Sequence, residues 1–315
     1  MNPKPVALPR PRRAEIAVAA TLEAAGLAVQ KLQDNLRRHE ALAYELGLVE
    51  AEIERFAIET TCGLSDDSQD VERYDGMLGV TRDFVDRHEP PVGQLQWLDD
   101  LFGRFSGPND SPGDVADVRW GSGGLFTNDL FITAGHCFDQ HGGGWQRPRR
   151  NGLTIEPKEI ATLMRVNFNY QLDGATGLLR LGAPFPVEEL VEYRSSGHDY
   201  AIVRLGRNAD GQLPGEIYGT LRLASQDLHD PAAMLCLIQH PSGRPKRVEA
   251  GPMLRNSAGR IAYDSLDTEG GSSGSPILSP AGEIVGVHTN GGCAAFSGFN
   301  YGAAIGVIRA ASSVI

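Results

Sequence analysis

The pattern of hydrophobic and polar positions divides the chain into regions with different periodicity. Between residues 13 and 60, apolar side chains recur at intervals of mostly three and four, and charged side chains occupy the opposite side. This spacing is typical of amphipathic helices, because it collects the apolar side chains on one face. Gly26 and Gly47 allow a break, so the pattern fits one long helix or two shorter ones.

The flanks of this helical segment have little periodicity. Residues 1–12 are rich in proline and arginine, which predicts a disordered tail. Residues 61–114 are interpreted as a linker and packing segment, in which residues 92–105 fit either a strand or a short helix. A turn-rich stretch at residues 106–114 ends this segment.

From residue 115 onward, short apolar segments alternate with Gly, Pro, Asn and Asp. This texture predicts an all-β domain over residues 115–315, and its length suits two six-stranded barrels. Asn128 and Asp129, between two apolar runs, predict a hairpin turn. The predicted strands are 115–120, 124–126, 130–133, 161–167, 201–205, 233–238, 261–264, 276–278 and 284–288.

Charge and cysteine content exclude several classes of function. A formal net charge of -11 argues against a nucleic-acid-binding surface. No apolar run has transmembrane or signal-peptide character, so we expect no membrane association and a cytoplasmic location, with secretion or a periplasmic location left open. Four cysteines without a Cys-x-x-Cys pair predict reduced, buried thiols and no zinc site; we expect no metal and no cofactor.

Three motifs carry candidate chemistry, in the order His, Asp, Ser. They are Phe131-Ile-Thr-Ala-Gly-His-Cys137, His198-Asp-Tyr-Ala-Ile-Val-Arg-Leu205 and Asp267-Thr-Glu-Gly-Gly-Ser-Ser-Gly-Ser-Pro276. A serine between glycines at a tight turn exposes its hydroxyl and directs backbone N–H groups outward. Histidine near neutral pH removes a proton from such a hydroxyl, and an aspartate orients the imidazole.

These motifs resemble trypsin-like serine proteases of the chymotrypsin fold and, within them, bacterial glutamyl endopeptidases. The resemblance covers about residues 115–310. It implies a mostly β, chymotrypsin-like double β-barrel, here preceded by an N-terminal α-helical segment. It implies that His136, Asp199 and Ser273 form the catalytic triad, and that the N–H groups of Gly271 and Ser273 form the oxyanion hole.

The resemblance leaves two specificities open. Thr268 and His288 occupy the offsets from Ser273 at which glutamyl endopeptidases hold a substrate carboxylate in the primary specificity pocket. Thr289, Asn290 and Gly291 follow His288 and are expected to continue the wall of this pocket. Asp267 occupies the offset at which trypsin binds Lys or Arg. Cleavage after Glu is the favoured hypothesis, and cleavage after Arg or Lys is the alternative.

Two positions depart from digestive trypsins. Ser272 replaces the aspartate that a new N-terminal amine contacts on activation, so we expect no such switch at residue 114 or 115. Gly121 occupies the place of the usual disulfide partner of Cys137.

We therefore expect a serine endopeptidase acting on proteins or peptides. Residues 13–60 are predicted to regulate the enzyme, dock a partner protein or mediate self-association. The competing hypothesis is a catalytically inactive protease fold that recognises partners through this helical segment.

Overall fold

A computed structural model describes Cys62 and residues 66–142, 145–195, 197–293 and 298–315. The predicted tail (1–12) and helical segment (13–60) lie outside the described residues, and both stay predictions. None of the helices in the described part of the chain has the length and apolar character needed to cross a membrane.

Strands dominate the described residues. They are β1 (Gln69–Asp70), β2 (Val92–Trp97), β3 (Arg119–Leu125), β4 (Leu130–Thr133), β5 (Arg149–Arg150), β6 (Leu153–Thr154), β7 (Met164–Phe168), β8 (Ala183–Arg194), β9 (Tyr200–Leu205), β10 (Arg222–Leu223), β11 (Met234–Gln239), β12 (Arg247–Pro252), β13 (Arg255–Ser257), β14 (Arg260–Tyr263), β15 (Pro276–Leu278), β16 (Glu283–Asn290) and β17 (Asn300–Ala304).

The helices are short. They are α1 (Arg82–His88), α2 (Leu101–Arg104), α3 (Pro157–Thr162), α4 (Pro214–Tyr218) and α5 (Ile305–Ala311), with 3-10 turns at Val71–Arg73, Gly135–Phe138 and Pro241–Gly243.

The first barrel is closed, with the strand order β2-β3-β4-β9-β8-β7. Its core contains edge-to-face contacts of Phe168 with Phe131 and Phe185. The barrel begins at Val92, so the predicted domain start at residue 115 excludes one of its strands. All residues of β2 are buried. Residues 92–105 contain both of the elements considered for them, because β2 is followed by the short helix α2.

The second half of the fold is a nine-stranded sheet with the order β1-β12-β11-β15-β16-β17-β14-β13, and β10 pairs with β16. It forms a half-barrel rather than the second closed six-stranded barrel that the length suggested. The prediction of a mostly β, chymotrypsin-like double-barrel architecture is confirmed.

Strand prediction succeeded where apolar runs are short and bounded by turn residues. The hairpin at Asn128 and Asp129 joins β3 to β4, and β4 and β15 have the predicted bounds. Segment 161–167 instead divides into the end of α3 and β7. Strands β8, β12 and β17 were not predicted. β8 and β12 contain prolines and charged residues, and β17 contains small residues, none of which favour a strand. Pairing with neighbouring strands stabilises all three.

The cysteines correct one expectation. Cys62 and Cys293 form a disulfide across a sequence separation of 231, although reduced thiols were predicted for all four cysteines. Cys137 and Cys236 are buried thiols that form no disulfide among the described residues, as expected. The spacing of Cys62 and Cys293 gave no sign of pairing, because folding alone brings these distant segments together.

Residues before the first barrel pack on the second sheet. We call Cys62 and residues 66–70 the strap. Its strand β1 pairs antiparallel with β12. The buried guanidinium of Arg247 donates to Ser68 Oγ at 2.8 Å and lies 3.1 Å from Asp70 Oδ1. Together with the disulfide, these contacts fix the strap against the second sheet.

Candidate active site

Two of the candidate catalytic residues lie at the ends of neighbouring barrel strands. β4 and β9 are antiparallel, with Thr133 opposite Ala201. His136 follows β4 in a 3-10 turn, and Asp199 directly precedes β9. Asp199 has a φ of 32°, a conformation that aspartate tolerates better than most residues. The strand pairing therefore brings these two side chains together.

Ser273 lies in the loop that leads into β15 of the second sheet, so the site spans both halves of the fold. Ser122 of β3 joins the halves: its N–H donates to Ser273 O at 2.8 Å, and its hydroxyl donates to Gly271 O at 2.8 Å. Gly274 has a φ of 89°, and a Cβ there would lie 2.0 Å from Thr133 Oγ1. A side chain at this position would therefore separate the loop from the first barrel.

His136, Asp199 and Ser273 are hydrogen-bonded in series. His136 Nε2 lies 2.7 Å from Ser273 Oγ, and His136 Nδ1 lies 2.8 Å from Asp199 Oδ2. The other carboxylate oxygen of Asp199 accepts from the backbone N–H of His136 at 2.8 Å. Asp199 thus holds both the ring and the backbone of the histidine. This arrangement can transfer a proton from the hydroxyl to the imidazole.

The other loop serines face elsewhere. Ser275 Oγ donates to Ser272 O at 2.7 Å. Ser272 Oγ accepts from Glu269 N at 3.1 Å, and Ser272 N donates to Glu269 O at 2.8 Å. Both serines are fully buried. They stabilise the turn around Ser273 rather than approaching His136.

The backbone around Gly271 has a defined orientation. Gly270 O accepts from Ser242 N at 2.7 Å. Because a trans peptide directs its N–H opposite to its C=O, the N–H of Gly271 faces away from Ser242. Gly271 has a φ of 103°, and a Cβ there would lie 2.8 Å from His240 O. Glycine is therefore required for this close approach.

Asp267 is bound by the strap. Its Oδ1 accepts from Cys62 N at 2.6 Å, and its Oδ2 accepts from Asp67 N at 2.9 Å. Burial raises the pKa of Asp267 to about 7, against the opposing effect of these two hydrogen bonds. Both carboxylate oxygens of Asp267 thus have backbone donors from a segment far away in the sequence.

The other predicted specificity residues lie on β16 and on the loop before Ser273. The backbone of His288 is hydrogen-bonded to Gly274 and Ser275, at 2.8 and 2.9 Å. The hydroxyl of Tyr263 contacts His288 Nδ1, which orients the imidazole. β16 continues through Thr289 to Asn290, with Gly291 directly after it. The residues predicted to form the wall of the specificity pocket therefore lie beside the loop that carries Ser273.

Asn300 of β17 connects the two sides of this region. Its side-chain amide donates to Thr268 Oγ1 and to Leu266 O, both at 3.0 Å. Its oxygen accepts from Gly292 N at 2.9 Å and from Cys293 N at 3.1 Å. No local signal in the sequence identifies Asn300, Ser122 or Tyr263 as site residues, because their hydrogen-bond partners are distant in the chain.

Comparison with known proteins identifies the family. The family model described as "Trypsin-like peptidase domain" matches residues 121–287, more than half of the chain. The chain belongs to the trypsin-like peptidase domain family. The matched range includes His136, Asp199 and Ser273.

Individual relatives are distant. The chain is 29% identical over 196 residues to a Sinorhizobium fredii protein described as "Uncharacterized protein y4fB", covering 57% of this chain and 26% of the relative. It is 26% identical over 114 residues to glutamyl endopeptidase from Staphylococcus aureus, covering 34% of this chain and 33% of that enzyme. The chain thus spans about a quarter to a third of the length of these relatives.

Among solved structures, the chain is similar to a serine endoprotease from Yersinia pestis. The TM-score is 0.47 and the sequence identity is 13%, with 72% of this chain and 63% of that chain covered.

Proposed function

We propose that this trypsin-like peptidase is a serine endopeptidase in which Ser273 is the nucleophile, His136 the general base and Asp199 the residue that orients it. The observation that carries the proposal is the series of hydrogen bonds from Ser273 Oγ to His136 and from His136 to Asp199, at 2.7 and 2.8 Å. Membership of a peptidase family makes protein or peptide the expected substrate.

The proposed reaction follows from this geometry. With its Nδ1–H donated to Asp199, His136 presents the lone pair of Nε2 to Ser273. As Ser273 Oγ attacks the substrate carbonyl carbon, its proton moves to Nε2, and Asp199 stabilises the imidazolium. His136 then donates that proton to the leaving amine, and water hydrolyses the acyl-enzyme.

The backbone N–H groups of Gly271 and Ser273 are proposed to stabilise the oxyanion. The orientation of the Gly270–Gly271 peptide supports this role, since its carbonyl is directed to Ser242 and its N–H faces the other way. Removing one such donor typically lowers kcat by about 10²–10³. Ser122 holds the following peptide through Gly271 O.

For specificity we propose cleavage after Glu, with Thr268 and His288 holding the substrate carboxylate. The similarity to a glutamyl endopeptidase supports this choice. The contacts of Asp267 add further support, because its carboxylate accepts two backbone N–H groups and its raised pKa disfavours the negative charge that a Lys or Arg pocket needs. Arg or Lys specificity is the alternative.

Labelling with a fluorophosphonate probe tests the nucleophile. We expect the full-length protein to react and Ser273→Ala to be unreactive. Ser275→Ala is the matched control, because its buried hydroxyl lies in the same loop but donates to Ser272 O. Labelling that is retained in Ser273→Ala, or absent from the native protein, would favour an inactive protease fold or another nucleophile.

Cleavage of a mixed peptide library tests the specificity separately. We expect cuts after Glu that Asp267→Asn preserves and His288→Gln weakens. Cuts only after Arg or Lys, lost in Asp267→Asn and kept in His288→Gln, would contradict the preference for Glu while leaving the nucleophile intact.

A further inference from the structure

Three carboxyl groups from distant parts of the chain meet where the strap joins the second sheet. Asp66 belongs to the strap, Glu249 to β12, and Asp267 to the loop before Ser273. One side-chain oxygen from each lies within 4.8 Å of the others. The sequence predicted no metal ligands here, since these residues are about 20 to 200 positions apart.

Glu249 lacks the hydrogen bonds that a buried carboxyl normally has. Its side chain is completely buried, and Oε1 accepts from the N–H of Ala250 at 3.0 Å. Oε2 is buried without a hydrogen-bond donor among the described residues. A buried acceptor without a donor is unfavourable, and a bound cation would satisfy it.

The guanidinium groups of Arg244 and Arg247 lie near Asp66. The Nη2 atom of Arg244 lies 3.5 Å from Asp66 Oδ2 and 2.8 Å from Glu269 Oε2, so this guanidinium is shared.

We propose that Asp66, Glu249 and Asp267 bind one Ca²⁺ ion. Oxygen ligands lie 2.3–2.6 Å from Ca²⁺, so two oxygens on one ion are at most about 5 Å apart, which agrees with the grouping of these three. Carboxylate oxygens are hard ligands that Ca²⁺ prefers, whereas protein zinc sites use mainly nitrogen and sulfur. Ca²⁺ also tolerates irregular geometry better than Mg²⁺ does.

The ion would join three segments that hydrogen bonds, ion pairs and the disulfide also connect. Through Glu249 the ion would connect Asp66 to β12, and through Asp267 it would connect Asp66 to the loop before Ser273. Binding is therefore expected to stabilise the strap and the adjoining loop. This inference does not depend on the proposed catalytic role of Ser273.

Calorimetric titration with CaCl₂ at constant pH, together with thermal unfolding, tests the site. The protein is the full-length chain carrying Ser273→Ala, which prevents self-cleavage, after treatment with EDTA and removal of the chelator. We expect one equivalent of Ca²⁺ to bind and Tm to rise with Ca²⁺ concentration. Glu249→Gln should weaken binding by at least about tenfold, because Ca²⁺ affinity depends on the number of charged ligands.

Glu283→Gln is the control, since Glu283 lies on β16 of the same sheet and its partner is Arg222. Its Ca²⁺ binding should equal that of the parent protein. Asp66→Asn, on the strap, gives a second test if Glu249→Gln does not fold. Absence of binding in the parent protein, or equal binding in the parent and a folded Glu249→Gln or Asp66→Asn variant, would overturn the proposal.

Discussion

Replacing Ser122 with alanine should destabilise the loop that carries Ser273. The Ser122 side chain acts on the backbone of this loop and has no role of its own in the proposed reaction. Its buried hydroxyl accepts from His240 N at 2.9 Å and donates to Gly271 O at 2.8 Å. Ser122→Ala removes both hydrogen bonds and keeps the backbone bond from Ser122 N to Ser273 O. The change therefore isolates what the hydroxyl contributes.

The expected magnitude follows from the two groups that lose their partner. A buried polar group left without a partner costs about 1–3 kcal/mol, so the loss of two partners should lower the free energy of unfolding by about 2–6 kcal/mol. Displacing Gly271 rather than deleting an oxyanion donor should have a smaller effect than the 10²–10³ typical of such a deletion. We expect kcat to fall by about ten- to a hundredfold with little change in KM.

Urea unfolding measures the first effect, and the rates of peptide cleavage and fluorophosphonate labelling measure the second. Ser275→Ala is the matched control, because Ser272 O still accepts from Ser275 N at 2.9 Å after the hydroxyl is removed. It should lose less than about 1 kcal/mol. If Ser122→Ala resembles Ser275→Ala in stability and rate, the hydroxyl of Ser122 does not support this loop.

Three further predictions concern stability. Gly274→Ala should lower the free energy of unfolding by more than about 2 kcal/mol, because its Cβ would lie 2.0 Å from Thr133 Oγ1 at a φ of 89°; an unchanged urea midpoint would contradict this. Cys62→Ser should lose about 2–5 kcal/mol, and dithiothreitol should lower the Tm of the native protein but not that of the variant. Burial, and to a smaller extent the charge of Lys246, hold the pKa of His240 well below its usual value. The unfolded state therefore binds a proton that the folded state does not, and stability should be lost as pH falls below about 6.5. The loss should reach up to about 1.4 kcal/mol per pH unit. His240→Asn should show a correspondingly shallower loss, and parallel curves for the two proteins would refute this assignment.

The disulfide bears on the predicted location. A bond such as that between Cys62 and Cys293 is rare in cytosolic proteins, whereas the cytoplasmic location was predicted from the lack of a signal-peptide-like apolar run. The location itself stays a prediction. The behaviour of the native protein in dithiothreitol will show how strongly folding depends on an oxidised environment.

The family, the mostly β architecture and the three segments carrying His136, Asp199 and Ser273 could be predicted before the fold was known. These properties depend on local chemistry: glycines permit the turns around Ser273, and short apolar runs bounded by turn residues form β4 and β15. Motif order and spacing are therefore sufficient to select the candidate residues before their distances are known.

The connections between the surrounding groups could not be predicted in this way, because they join residues that are distant in the chain. The partners of Asp267 are backbone N–H groups about 200 residues away, and Ser122 reaches Gly271 across a separation of 149. Asp66, Glu249 and Asp267 come together because β1 pairs with β12 beside the nucleophile loop. Such contacts follow from strand pairing between distant segments, which leaves no periodic signal in either segment alone.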